Sequence, residues 1–284
     1  MGTGIKKSVN RNAIRGYLFV LPLVIIMLVF LVYPIIKAAL MSVQYWYMPK
    51  LTDRGHYFVG IENFISILKD SNFLNSVKVT VIYVVVTVVV RFLIGLGTAL
   101  LLNKKFFGRG VARALVIIPW AVPEVVACLV WILMYDKDFG IINYIGQSLG
   151  LFSESLGFLT DVRIALPAAM AVNIWKGFPF VAIMLLAGLQ SIPGELYEAA
   201  YVDGANSWKQ FKSVTWPSLR PVTIIVFLLL IIWTIKDFAI SYLLAKGGPS
   251  RATEILTIYI YKIAFSTFDF GKAAAGGMLM LLFS

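Results

Sequence analysis

The stretch ELYEAAYVDGANSWKQF, residues 195–211, is a polar segment between two long apolar stretches. Pro193 stands near the expected start of a helix, where its missing N–H costs little. Glu195 then falls in the first turn, where a carboxylate is favourable beside the positive helix end. Asp203 and Gly204 break the helix, because glycine enters left-handed turns at low cost. The stretch therefore predicts a short helix that ends at a glycine corner.

A second short helix is predicted directly after this corner. Ser207 and Gln210 have the spacing of a capping box, in which side chains satisfy the N–H groups at a helix start. Pro217 is expected to end this helix. Taken alone, the pattern also fits a helical hairpin that packs on its own protein. One face of the second helix follows i, i+3, i+7 spacing, with Trp208, Phe211 and Thr215.

The composition indicates a membrane protein. Hydrophobic residues make up 60 % of the chain and charged residues 14 %, whereas charged residues make up about a quarter of soluble domains. Several apolar stretches approach or exceed the ~20 residues needed to cross a bilayer. The net charge of +11 is read as membrane topology, not as nucleic-acid binding, because the basic residues do not cluster with aromatics on one soluble face.

We predict an all-α membrane protein, a six-span bundle whose last span is incomplete. The N-terminal tail is residues 1–15, and the transmembrane domain is residues 16–284, with the polar loop at 190–221. The apolar part of the last span is well under the crossing length, so we expect the chain to be truncated or to continue further. The approximate spans are 16–36, 77–102, 114–134, 164–189, 222–244 and 272–284.

Orientation follows from two basic segments that contain no acid. Because short cytoplasmic loops carry an excess of lysine and arginine, both the N-terminal tail and the connection between the second and third spans should be cytoplasmic. Alternation then places the loop 190–221 in the cytoplasm too. The basic residues of the tail are Lys6, Lys7, Arg11 and Arg15, and those of the connection are Lys104, Lys105, Arg109 and Arg113.

The residues needed for catalysis or for metal binding are missing. His56 and Cys128 are the single histidine and cysteine, which excludes a zinc cluster and an internal disulfide. Neither Lys-Ser pair follows a glycine, so the chain has no Walker A loop. We predict no catalytic residues, no metal site and no cofactor on this chain, and an energy source on another chain.

The pattern E-A-A-x-x-D-G-A-x₅-F-x₅-P at residues 198–217 resembles the cytoplasmic coupling loop of ABC-importer permease subunits. Further matches are NIWKGFPF at 173–180, GGP at 247–249 and YIY at 259–261. Together they resemble the carbohydrate-uptake branch of type I ABC permeases, the group of the maltose importer's membrane subunits. The resemblance covers residues 16–277. It departs at Trp216, where the family usually has leucine before the proline.

The resemblance implies an assembly in the plasma membrane of a prokaryote. This chain would pair with a second, homologous permease subunit, above two ATPase subunits that hold ATP and magnesium. An extracytoplasmic solute-binding protein would deliver the sugar, which crosses by alternating access. This chain would then be a permease subunit and not an enzyme. The ATPase-coupling residues implied by the motif are Glu195, Glu198, Ala199, Ala200, Asp203, Gly204 and Phe211. The alternatives are a permease for another solute, such as an amino acid or phosphate, and a membrane-embedded enzyme.

Charged residues inside the predicted spans indicate a substrate pathway. An ionisable group in a span is costly and usually faces protein or a wet cavity. Glu124, Lys176 and Asp237 converge on one band in the middle to outer membrane. Their alternative role is an interhelical ion pair of Lys176 with Glu124 or Asp237. The candidate pathway is Glu124, Asn173, Lys176, Trp233, Asp237 and Ser241, of which Trp233, Asp237 and Ser241 are four apart and should share a helix face.

Prolines and a glycine predict where two spans bend. Pro119 and Pro123 in the third span, and Gly177 and Pro179 in the fourth, can free backbone carbonyls. Such bends can act as hinges for alternating access or can be static kinks.

Overall fold

The computed structural model of the chain describes residues 11–48 and 56–283, which are mostly helical with almost no strand. Lys6 and Lys7 of the N-terminal tail lie outside the described residues. The chain forms two units, described separately below. One unit contains the residues up to Lys69 together with Lys262–Phe283, and the other contains Asp70–Tyr261.

The first unit begins with a long helical run that has a wide turn in its middle. Helix α1 (Arg11–Met27) passes through a π-helical turn (Leu28–Val32) into α2 (Tyr33–Ser42). Strands β1 (Gln44–Tyr45) and β2 (Tyr57–Phe58) pair antiparallel. None of the apolar window of the first helical run is buried within the chain, so this run is available to lipid or to another subunit.

Two further helices complete the first unit, α3 (Glu62–Leu68) and α14 (Phe270–Phe283). Asn63 on α3 donates from Nδ2 to the carbonyls of Ser42 (2.9 Å) and Gln44 (2.8 Å). Gly271, in the first turn of α14, lies so close to the Gln44 carbonyl that no side chain fits there. Helix α14 is shorter than a bilayer crossing, as expected for the sixth predicted span.

The second unit contains three long helices, α4, α8 and α11, which carry its core. Their bounds and those of the other helices are α4 (Ser71–Asn103), α5 (Arg109–Ala121), α6 (Glu124–Met134), α7 (Ile141–Ser148), α8 (Ala165–Gln190), α9 (Gly194–Val202), α10 (Ser207–Gln210), a π-helical turn (Phe211–Thr215), α11 (Trp216–Ile235), α12 (Ala239–Ala245) and α13 (Leu256–Phe265), whose last turn belongs to the first unit.

Helices α4, α8 and α11 pack through an apolar seam. Leu185 on α8 and Leu219 and Leu230 on α11 are fully buried there. Gly95 on α4 faces Val181 on α8, and a methyl group at Gly95 would overlap the Val181 side chain. The absence of a side chain at Gly95 therefore lets α4 and α8 approach closely, as small residues do between membrane helices.

The predicted third span, 114–134, corresponds to two helices, α5 and α6. Helices α5 and α6 are bent by 93° at a short break. Pro123 cannot donate a helical hydrogen bond, and a proline disfavours helical geometry at the residue before it. Val122 accordingly has the extended angles φ −65 and ψ 131. The bend expected in this span is thus present at Pro123, whereas α5 continues through Pro119 and α8 continues through Gly177 and Pro179.

The fifth predicted span, 222–244, also differs from the structure at both ends. Pro217 does not end the preceding helix, because a helical run extends over Ser207–Ile235. The π-helical turn ends as Trp216 N–H donates to the Phe211 carbonyl, and Pro217 then stands in the first turn of α11, where a missing N–H is tolerated. At the other end the helix stops at Ile235, and residues 236–238 separate α11 from α12.

Within the described residues, four helical segments are long and apolar enough to cross a membrane, or five if α5 and α6 count as one. The membrane class is confirmed, and the count of six spans stays a prediction. The four segments are Gly16–Ser42, Ser71–Asn103, Ala165–Gln190 and Ser207–Ile235.

Candidate functional site

A cavity of about 290 Å³ lies among α4, α8, α11 and the breaks that end α5 and α11. Both polar and aromatic side chains line this cavity, although the helices around it are mostly apolar. Glu124, at the start of α6, is exposed and lies at this cavity. The lining residues are Arg91, Trp120, Glu124, Asn173, Lys176, Gly177, Phe180, Leu230, Trp233, Thr234, Asp237 and Ile240.

Asp237 is the hydrogen-bonding centre of one wall. Its Oδ2 atom accepts from Tyr83 Oη (2.6 Å), Ser241 Oγ (2.9 Å) and Asn173 Nδ2 (3.3 Å). Thr257 Oγ1 donates to the Asp237 carbonyl (2.6 Å), which satisfies a backbone group at the helix break. A carboxylate in a span therefore has partners on three other helical segments, which compensates part of the cost of burying it.

The helix break at Asp237 means that Trp233, Asp237 and Ser241 do not share a face of one helix. Trp233, Asp237 and Ser241 were expected to share a face of one continuous helix, but Trp233 lies on α11 and Ser241 on α12. Phe238 has φ −132 and ψ −47, outside helical geometry. Trp233 and Asp237 still line the same cavity, while Ser241 reaches it only through its bond to Asp237.

Lys176 holds the broken end of α5. Its Nζ donates to the carbonyls of Val122 (2.6 Å) and Trp120 (3.4 Å). The helix break beside Pro123 leaves carbonyls at the end of α5 without their usual N–H donors. Lys176 supplies donors to two of them, and within the described part of the chain it makes no ion pair with Glu124 or Asp237. The ion pair considered for Lys176 is therefore replaced by hydrogen bonds to backbone.

Arg91 crosses α8 at Gly177. Its Nη2 donates to the Asn173 carbonyl (2.9 Å), and a methyl group at Gly177 would overlap the guanidinium. A side chain at position 177 would therefore displace the Arg91 guanidinium. Arg91 is not among the pathway residues that the sequence analysis proposed.

Three buried polar atoms at the cavity have no hydrogen-bond partner within the described residues. They are Arg91 Nε, Asn173 Oδ1 and Thr234 Oγ1, and their residues are 6 %, 3 % and 2 % exposed. Buried polar groups are nearly always paired with protein, water or ligand. The residues that carry these atoms line the cavity and make part of its wall polar. Thr234 carried no signal in the sequence beyond being a polar residue in an apolar run.

Aromatic rings give another part of the same cavity an apolar lining. Phe180 and Trp233 have ring centroids 4.8 Å apart, and Trp120 and Phe180 6.4 Å apart. Such rings offer flat apolar surface beside hydrogen-bonding groups. Of the candidate pathway residues, the structure thus brings together Glu124, Asn173, Lys176, Trp233 and Asp237 at one cavity. Their role in transport stays a prediction.

The loop 190–221 has the two short helices expected from its sequence. Pro193 caps α9, Glu195 lies in its first turn, and Asp203 ends it. Gly204 has φ +73, and the N–H groups of Gly204 and Ala205 donate to the carbonyls of Tyr201 and Ala200. This pair of bonds is a Schellman motif, and it fixes the corner between the helices.

The predicted coupling residues on α9 and its corner are mostly at the surface. Glu195, Glu198 and Ala199 are exposed, as are Asp203 and Gly204, while Ala200 is half-buried. Large apolar side chains are exposed among them: Leu196, Tyr201 and Val202. An exposed surface of acids and apolar groups is suited to docking of another protein.

The capping box predicted for the second helix is wrong. Asn206, one residue earlier, is the N-cap, and its Oδ1 accepts from Lys209 N–H (2.9 Å). Gln210 Nε2 donates instead to the Ala205 carbonyl (3.1 Å). The face predicted from spacing is present, because Trp208 and Phe211 stack with centroids 5.8 Å apart and Thr215 is buried nearby.

Comparison with known proteins identifies one protein family, and similar proteins are named as permeases of transport systems. Residues 91–284 match the family described as binding-protein-dependent transport system inner membrane component. The chain is 37 % identical to the trehalose/maltose transport system permease protein MalF of Thermococcus litoralis, over 96 % of this chain and 89 % of that protein. It is 32 % identical to the sn-glycerol-3-phosphate transport system permease protein UgpA of Agrobacterium fabrum, over 95 % and 91 %.

The fold is also that of a solved transporter. A chain in the crystal structure of a bacterial alginate ABC transporter, in complex with an alginate pentasaccharide-bound periplasmic protein, aligns with a TM-score of 0.81. The alignment covers 98 % of this chain and 95 % of the other, at 23 % identity. At that identity the likeness shows the fold alone.

Proposed function

Because this chain belongs to the family of binding-protein-dependent transport system inner membrane components, we propose that it carries a sugar or sugar-like solute into the cytoplasm. It is the permease subunit of an ABC importer and not an enzyme. Alternating access of the bundle would expose the cavity first to the outside and then to the cytoplasm. The relatives named for trehalose/maltose and for sn-glycerol-3-phosphate transport support a polyhydroxylated solute.

The single observation that carries this proposal is the cavity at Asp237. It combines neighbouring aromatic rings with the polar side chains of Asn173, Thr234 and Asp237. A sugar offers both an apolar ring face and hydroxyl groups that donate and accept hydrogen bonds. The five pathway residues at this cavity would therefore contact the solute, with Ser241 orienting the Asp237 carboxylate.

A second candidate solute is a phosphorylated polyol. Arg91 and Lys176 place two cations at the cavity, and a phosphate group prefers such donors. Against it, Glu124 and Asp237 place two carboxylates at the same cavity, and Lys176 already bonds to two carbonyls. The neutral sugar is therefore favoured.

The proposed assembly contains a second homologous permease subunit, two ATPase subunits that bind ATP and magnesium, and an extracytoplasmic solute-binding protein. The exposed acids and apolar side chains of α9 would dock on one ATPase subunit. The Schellman motif at Gly204 would hold α9 and α10 at a fixed angle, so that movement of the ATPase passes to α11 through the continuous helical run Ser207–Ile235. Phe211, half-buried at the π-helical turn, would join the two.

We place this assembly in the plasma membrane of a prokaryote, with the N-terminus and the loop 190–221 in the cytoplasm. Cysteines introduced by Ser207→Cys and Asp138→Cys, in a chain from which Cys128 is removed, test the orientation in intact cells. An impermeant thiol reagent should label the variant at 138 and not the one at 207. The reverse labelling would contradict the proposed topology.

The function is tested by reconstituting the complex with its binding protein in liposomes. A panel of sugars and sn-glycerol-3-phosphate is added, and both ATP hydrolysis and solute uptake are measured. We expect a neutral sugar to stimulate both. Stimulation by the phosphorylated polyol alone would establish the second candidate, and no stimulation by any polyhydroxylated solute would refute the proposal.

A further inference from the structure

A second cavity, of about 440 Å³, lies where the loop 190–221 meets the end of α4. Leu100 and Lys104 line it from α4 and its C-cap, and Tyr197 lines it from α9. The remaining wall comes from α10 and the π-helical turn, with Ser207, Trp208, Gln210, Phe211 and Thr215. Trp208 is 71 % exposed, so a large ring stands at the opening of the cavity.

The lining of this cavity is divided by polarity. Leu100, Trp208 and Phe211 give it an apolar wall, and Lys104 and Ser207 give it hydrogen-bond donors. No acidic residue lines it. Within the described part of the chain, the Lys104 ammonium has no hydrogen-bond partner, and the exposed Lys105 follows directly. The cavity is thus suited to a ligand that is apolar at one end and negatively charged at the other.

The position of the cavity indicates that its ligand is a membrane lipid. The apolar run of α4 ends at Leu102, and the helix itself ends at Asn103. After the end of α4, Lys104 and Lys105 are followed by Phe106, which is 46 % exposed, and Phe107, which is fully exposed. Exposed aromatics beside lysines at the end of a span are typical of the boundary between lipid and water, where long basic side chains reach the headgroups.

We propose that this cavity binds an anionic phospholipid. An acyl chain lies against Leu100, Trp208 and Phe211, and the phosphodiester accepts hydrogen bonds from Lys104 and Lys105. The bound lipid would contact α4, α9 and the π-helical turn together, and would brace the loop 190–221 against the membrane bundle. This goes beyond the proposed transport function, because it assigns a ligand other than the transported solute.

The test uses the complete transporter in nanodiscs of mixed phosphatidylcholine and phosphatidylglycerol. In each sample one of the two lipids carries brominated acyl chains, which quench tryptophan fluorescence on contact. The quenching due to Trp208 is the part of the total quenching that is lost in the Trp208→Phe variant. Brominated phosphatidylglycerol should quench the Trp208 fluorescence at a lower mole fraction in the membrane than brominated phosphatidylcholine. In Lys104→Gln, the fraction needed for half-maximal quenching should rise about fivefold, as expected for one lysine at a membrane surface.

Lys137→Gln is the matched control, because it removes the same charge from an exposed turn after α6. It should leave the quenching of Trp208 unchanged. Equal quenching by the two lipids in the wild-type complex would overturn the proposal without any variant. Absence of Trp208 quenching would also overturn it, and would indicate that ATPase side chains fill the cavity. Sugar-stimulated ATP hydrolysis is measured on the same samples, so failure of lipid binding and failure of transport are told apart.

Discussion

The cavity at Asp237 and the loop 190–221 are built in opposite ways. The cavity depends on bonds between residues far apart in the chain, such as the one from Tyr83 to Asp237, 154 positions apart. The loop depends on bonds between near neighbours, such as the one from Lys209 N–H to Asn206, three positions apart. The side chains that donate to Asp237 are buried among helices, whereas most of α9 is exposed.

This difference indicates where substitutions should act. A residue in the cavity supports several helices at once, so its loss should alter stability and transport together. An exposed residue on α9, such as Glu198, supports little beyond its own turn, so its loss should alter docking while the bundle remains folded. The following predictions test this contrast, from the largest expected effect to the smallest.

Asp237→Ala should have the largest effect. It removes the acceptor shared by Tyr83, Asn173 and Ser241, and unpaired buried groups cost about 1–3 kcal/mol each, so we expect a destabilisation on the order of 3 kcal/mol and loss of uptake. Asp237→Asn keeps an acceptor oxygen and should reduce uptake while the complex stays assembled. Thermal unfolding and sugar uptake are measured on one preparation.

The control for Asp237 is Asp138→Asn, in the exposed turn after α6, which should change neither quantity. Wild-type stability of Asp237→Ala would contradict the hydrogen-bonded centre. A loss of assembly in Asp237→Asn with normal uptake per assembled complex would indicate a purely structural role for the carboxylate.

Gly177→Ala should displace Arg91 from α8. The added methyl group would overlap the guanidinium, and overpacking of this kind costs about 1–3 kcal/mol. Gly97→Ala is the matched control on α4, because nothing lies within reach of a methyl group there. It should be neutral or stabilising by up to about 1 kcal/mol. Equal thermal unfolding of the two variants would show that Arg91 does not need the space at Gly177.

Glu198→Lys should weaken association with the ATPase subunit and leave membrane insertion normal. Glu198 is exposed on α9, so the fold should tolerate the reversal of charge. We expect at least tenfold weaker association, about 1.4 kcal/mol, measured by co-purification at several ATPase concentrations. Gly204→Val should act similarly with added local strain, since a β-branched side chain is costly at φ +73.

Glu154→Lys reverses a charge in an exposed connection between α7 and α8, on the proposed external side, and serves as the control for Glu198. It should leave association unchanged. Wild-type uptake and ATPase binding in Glu198→Lys would count against the coupling role and would favour a helical hairpin that packs only on its own protein.

Asn206→Ala should have the smallest effect. Loss of an N-cap side chain costs about 1 kcal/mol, and here the cost falls on α10 alone. Hydrogen exchange of the α10 amides should become about fivefold faster. Ser207→Ala should leave exchange unchanged, because Asn206 and not Ser207 caps this helix. The opposite result would restore the capping box predicted from the sequence.

The features that were predicted correctly depend on local chemistry. The apolar runs located the long helices, Pro123 located the bend between α5 and α6, and Gly204 located the corner of the loop. The errors arose where two local solutions compete. Asn206 and Ser207 are both good caps, and the backbone after Gly204 selects the first. Pro217 can end a helix or begin one, and the π-helical turn before it allows the second.

The sequence by itself determined the membrane class, the family motif and the set of charges within the spans, because apolar length and residue type are properties of a short stretch. The tertiary structure alone decided what those charges do. Lys176 donates to the carbonyls of a broken helix, Arg91 lies across Gly177, and Asp237 accepts from three distant side chains. A buried polar group must be paired, and its partner is set by which helices pack together, which no short stretch of sequence contains.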